Sequence, residues 1–213
     1  MKNLFYLFSL CLVGVVFTGC DNDDDDHDDD HSHVVAPDTY SFERDGISTV
    51  YFSGQTCRVQ MASDIYSALN NPDYNTAQIM QMFDDGTGFP VEYSCGKNVG
   101  GKTAASSMAS ATVKGQFDDM VVHLVDNVYP NWTNNASVGV AGQITTSSGS
   151  TYQVDAKGLE VDQAFIKGLI GALCVDQITN NYLTASKLDS GSNDASMLGG
   201  GEDTDMEHYW DEG

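Results

Sequence analysis

The side chains best suited to chemistry lie near the end of the chain. On a helix His208 and Glu212 would sit one turn apart on the same face, a workable spacing for two ligands to one ion. A third ligand would have to come from elsewhere. The competing reading is a solvated helix start, because Glu202, Asp203, Asp205 and Glu207 favour a helix N-terminus electrostatically. Asp119, His123 and Asp126 share a second helical face, where isolated polar residues are usually just solvated. No Gly-x-Ser-x-Gly, His-Glu-x-x-His or Cys-His constellation is present, so a hydrolase is not expected.

Charge narrows the partners. Nine Lys and Arg stand against 31 Asp and Glu, for a net charge of -22. Binding phosphate depends on clustered positive charge, so nucleic acid is excluded as a partner and cationic surfaces or cations are favoured. Part of the excess lies in one run, Asp21 to His33, which has no apolar side chain to bury and is expected to stay extended and disordered. It can serve as a spacer and sorting signal, or as a loose divalent-cation site. The spacer reading is preferred, because the run lacks the glycine-turned spacing of a calcium loop.

The first residues match steps of export. Lys2 supplies a positive start, and Leu4 to Phe17 form an apolar stretch shorter than the roughly 20 residues of a membrane span. The stretch ends in Phe17-Thr18-Gly19-Cys20, which resembles a lipobox. That resemblance implies a signal peptide over 1–19, a lipidated Cys20 and a tether over 20–36. Acyl chains on one cysteine contribute about 0.8 kcal/mol per buried methylene, enough together for stable anchoring. An acidic run directly after such a cysteine resembles the surface-export signal of bacterial lipoproteins. It implies outer-membrane anchoring with the domain exposed at the surface; the alternative is a periplasm-facing domain.

Three further cysteines remain: Cys57 and Cys95, which can pair in an oxidising compartment, and Cys174, whose apolar helical surroundings predict a core position. The domain, 37–213, reads as mainly α. After an extended segment around Tyr40-Ser41-Phe42 and Val50-Tyr51-Phe52, the spacing of Cys57, Met61, Ile65 and Leu69 predicts a helix stopped by Asn70-Asn71-Pro72. Asn75 and Thr76 offer caps for a short helix through Phe83, ended by Asp84-Asp85-Gly86. Gly96 to Ser110 reads as loop.

Val113, Phe117, Met120, Val121, Leu124, Val125 and Val128 then form one apolar face, closed by Pro130. A β-hairpin is expected between Gly139 and Lys157. A long helix from about Glu160 to Leu183 follows, with Phe165, Ile166, Leu169, Ile170, Leu173, Cys174 and Ile178 on more than one face, predicting a central place in a bundle. Gly168 and Gly171 would allow close helix approach there. A Gly-rich loop, Ser190 to Gly201, precedes a last helix with Met206, Tyr209 and Trp210. That helix must dock back onto the bundle or belong to a truncated chain.

Three stretches carry a family resemblance: Tyr40 to Gly46, Ala156 to Leu173, and Met206 to Glu212. They resemble a group of bacterial lipoproteins classed only as a domain of unknown function, DUF4856, which is similar to the imelysin-like proteins. The resemblance implies a helical bundle and an envelope location, with no established activity. It also implies that this chain is a fragment or ends early, since members usually continue into a second helical half. Imelysin-like proteins carry a Gly-x-His-x-x-Glu motif proposed to bind metal. Its nearest match here is His208 with Asp211 and Glu212; Met206 replaces the glycine and Asp211 occupies the glutamate position. The resemblance therefore implies a binding module for a divalent metal, iron or a metal complex. The alternative is a structural or protein-interaction lipoprotein without a metal site.

Overall fold

The computed structural model describes residues 38–189 and 202–213. The expected signal peptide, Cys20, the acidic tether and the loop over 190–201 lie outside them. The described chain is mainly helical, with six α-helices and two small two-stranded antiparallel sheets.

The first sheet pairs β1 (Glu43–Arg44) with β2 (Ile47–Ser48) across Asp45-Gly46. Both turn residues have positive φ, 52° and 79°, the conformation a two-residue hairpin turn demands. α1 (Ser53–Leu69) follows and buries the expected stripe of Cys57, Met61, Ile65 and Leu69, with Ala62 and Ala68 beside it. Asn75 caps α2 (Thr76–Met80) through a reciprocal box with Gln78. The helix runs on as a π-helical turn, Gln81–Asp85, until Gly86 stops it at φ 70°. A Cβ at Gly86 would run into the Lys97 carbonyl, so both backbone conformation and space require glycine.

α3 spans Ser107–His123 and begins inside the stretch expected to be loop. Ser106 supplies its first carbonyl, accepting from the N–H groups of Ala109 and Ser110. The start carries little periodic signal because Ala109, Ser110 and Ala111 are too small to mark a buried face. Downstream, Phe117, Val121, Leu124 and Val128 are buried as expected, and the helix ends through π (Leu124–Val128) and 3-10 (Tyr129–Asn131) turns at Pro130. The expected hairpin is β3 (Gly142–Thr145) against β4 (Thr151–Val154), with Gly142 opposite Val154 and Thr145 opposite Thr151.

α4 (Val161–Leu169) continues as two π-helical segments, Ile170–Asp176 and Ile178–Tyr182. Its first half is central: Phe165 meets Phe117 and Phe83 edge-on, with centroids 5.2 and 5.3 Å apart, at the middle of the core. Truncating such a phenylalanine costs about 3–5 kcal/mol. Its second half corrects the sequence expectation. Ile170 and Val175 are more than half exposed, and Cys174 is an exposed free thiol, not a core residue. The π turns rotate this stripe off the bundle axis. Gly168 does allow close approach, lying where a Cβ would touch the Phe117 ring at 3.2 Å, whereas Gly171 faces open space.

The short α5 (Ala185–Leu188) and α6 (Asp205–Glu212) complete the described chain. No helix among the described residues is long and apolar enough to cross a membrane.

Candidate functional site

α6 is held at its start by a capping box: Thr204, fully buried, accepts from the Glu207 N–H, and Glu207 accepts from the Thr204 N–H at 2.7 Å. The helix docks against the segment that leads into α1. Arg44 donates from Nη2 to both carboxylate oxygens of Glu207, at 2.8 and 3.0 Å, and from Nη1 to the Glu202 carbonyl. Burial pushes the Glu207 carboxyl up, but the Thr204 hydrogen bonds and the Arg44 charge together outweigh it and leave it below its ordinary range.

His208 is nearly enclosed, its side chain 13% exposed and stacked on Tyr51 with centroids 5.2 Å apart. Its Nδ1 faces the buried Asp203 at 3.3 Å, and its Nε2 faces Glu212 at 3.6 Å. Asp211 points elsewhere, accepting from the Tyr40 hydroxyl and, at 2.6 Å, from the Tyr51 N–H. Of the three candidate ligands, then, His208 and Glu212 come together and Asp211 is used as a docking acceptor. The imidazole thus has a separate carboxylate near each nitrogen, and neither approach is a hydrogen bond: Nδ1 and the Asp203 oxygen are both buried without a hydrogen-bond partner among the described residues. Among the described residues no group of three or more His, Cys, Asp and Glu side chains is placed to hold a metal ion.

The second candidate set is also rearranged. Asp119 and Asp126 are exposed, while His123 pairs with Asp155 at 3.1 Å across to the end of the hairpin. Asp155 is buried, and its other oxygen accepts from the N–H groups of Lys157 and Leu159 at 2.8 and 2.9 Å. Burial raises this carboxyl, yet those two amides and His123 prevail and hold it below its ordinary range. Sequence reasoning missed Asp155. The signal was the Asp-Ala-Lys-Gly turn, where a carboxylate bonds backbone two residues on. Cys57 and Cys95 are joined by a disulfide that ties α1 to the loop before the 3-10 turn Gly100–Lys102.

These features define a small helical domain whose last helix is fastened to its first segment by an ion pair and hydrogen bonds. The chain belongs to the family described as a domain of unknown function, DUF4856, which matches it over residues 37–213. No curated protein matches the chain. No solved structure matches it either.

Proposed function

We propose that this chain is a cell-envelope lipoprotein, anchored through Cys20, whose domain is a protein-interaction module without a resident metal. The observation that carries the second half is the placement of His208, with a separate carboxylate at each ring nitrogen and Asp211 turned to Tyr40 and Tyr51. In support, Asp211 bonds to Tyr40 and Tyr51 and the His208 ring stacks on Tyr51, contacts that dock α6. The anchoring half rests on the Phe17-Thr18-Gly19-Cys20 sequence. The acidic run behind it supports a surface-facing position on the outer membrane, and the net charge of -22 supports a cationic partner surface. The likeness to imelysin-like proteins is part of this proposal and rests on the C-terminal His-x-x-Asp-Glu pattern.

Metal analysis and calorimetric titration of the full chain with zinc and iron test it, alongside His208→Ala. The expected result is no stoichiometric metal attributable to His208 and a lower melting temperature in the variant. One equivalent of metal, retained by the wild type and lost in His208→Ala, would restore the metal-binding alternative. Labelled fatty acid incorporation lost in Cys20→Ala tests the anchor; labelling unchanged in that variant would remove it.

A further inference from the structure

Where α6 meets the first hairpin, three aromatic side chains are left half in water: Tyr40, Phe42 and Trp210 are 50%, 46% and 54% exposed. All three line one hollow of about 270 Å³, together with Thr49, Met206, Glu207 and Asp211. Tyr40 and Phe42 form a corner in it, their centroids 5.2 Å apart and their planes at 83°. Rings held this way keep a hydrophobic cost that an apolar ligand surface would relieve.

The charge of the hollow narrows the ligand. Two carboxylates line it, and no Lys, Arg or His does. Glu207 is cancelled by Arg44, whose Nη2 reaches both of its oxygens. Asp211 is not cancelled. Its two oxygens accept from neutral donors, the Tyr40 hydroxyl and the Tyr51 N–H, and it makes no ion pair among the described residues. Burial, helped by the Asp211 carboxylate, pushes the Tyr40 phenol up to about 12, so Tyr40 stays a neutral donor at physiological pH. One negative charge therefore stands beside the rings, inside a chain whose net charge of -22 already concentrates cations.

We propose that Tyr40, Phe42, Trp210 and Asp211 form a binding site for a small quaternary ammonium ion, the rings taking up its methyl groups and Asp211 supplying the opposite charge. A divalent metal would need several oxygens free to coordinate it, and a primary ammonium would need acceptors for its three N–H groups. Here both oxygens of Asp211 and both oxygens of Glu207 already accept hydrogen bonds. A quaternary ammonium has no N–H to satisfy. It is held by apolar contact, by the opposite charge and by the faces of aromatic rings within about 6 Å of their centroids. The site does not depend on the lipid anchor or on the state of His208.

Calorimetric titration of the full chain with choline at neutral pH tests it, with 3,3-dimethyl-1-butanol, the uncharged analogue of the same shape, and potassium chloride as comparisons. Choline should bind saturably and in preference to the alcohol, and potassium at equal concentration should not displace it. Its affinity should fall about fivefold or more in Trp210→Leu and in Phe42→Leu, and stay unchanged in Trp132→Phe, the chain's other tryptophan, which lies outside the hollow. Trp210 and Phe42 are surface positions, so both variants will keep their fold, as melting curves will verify. No saturable choline binding, the alcohol binding as tightly, displacement by equal potassium, or unchanged affinity in both Trp210→Leu and Phe42→Leu would each overturn the assignment.

Discussion

Arg44 and Glu207 lie 163 positions apart and meet in a forked ion pair that fastens the last helix to the first hairpin. The same guanidinium reaches the Glu202 carbonyl, so one side chain secures both the approach to α6 and its first turn. Arg44→Ala should therefore loosen α6 more than it destabilises the whole domain. The pair is partly exposed, and a global loss of about 1 kcal/mol is expected. Amide exchange over 205–212 should rise clearly. Exchange that rises equally in α1 and α6 would mean that the contact supports the core instead.

Stability should fall in acid through two carboxylates. Glu207 and Asp155 both titrate below their ordinary range in the folded state, so each contributes stability that is complete above its unfolded pKa. That contribution disappears as pH drops through the folded value. Denaturant midpoints measured from neutral pH down through the carboxylate range should show a steep decline, less steep in Glu207→Gln and in Asp155→Asn. Asparagine can still accept from Lys157 and Leu159, so the second variant should keep its turn while losing the pH dependence.

Breaking the disulfide should be expensive for a domain of this size. Cys57 and Cys95 close a loop of sequence separation 38, for which chain entropy gives about 4 kcal/mol and measured losses run about 2–4 kcal/mol. The double variant Cys57→Ala, Cys95→Ala should show that drop in urea unfolding. Unchanged stability would mean that the reduced chain already holds α1 against this loop.

Two glycines three residues apart should respond in opposite directions. Gly171→Ala adds a methyl into open space and a better helix former, for a gain of up to about 1 kcal/mol. Gly168→Ala pushes a Cβ toward the Phe117 ring and must displace an aromatic of the core. Melting temperatures of the two variants should move apart, and a parallel shift would place both residues in the same environment.

Where burial repeats at helical spacing, the sequence was enough. Cys57, Met61, Ile65 and Leu69 mark α1, and Phe117, Val121, Leu124 and Val128 mark α3, because large side chains on one face leave a period. The Asn75 cap and the hairpin after Gly139 were legible for local chemical reasons. What escaped was of two kinds. The first hairpin needs only Asp45-Gly46 and two residues on either side, too short to show alternation, although that dipeptide is itself a turn signal. Phase was the other loss: spacing alone assumes one helical pitch, and it placed Cys174 inside when the backbone had turned it out. The candidate site failed for a related reason. Spacing predicts who shares a face, as it did for His208 and Glu212, but Tyr51 and Asp155 arrive from other segments, and local pattern does not say which side chain each will meet.

The π-helical segments after Leu169 make residue number, and not only residue type, part of the code. Each wider turn takes up about one residue more than an α turn, and so swings everything downstream by about 100° around the axis. Tyr182 is buried at the far end of two such segments. Much of that helix will accept changes of side chain at its outward positions. It should not accept the loss of a single residue between Ile170 and Tyr182, which would re-aim the phenol and break its hydrogen bonds with Gln55 and Lys102.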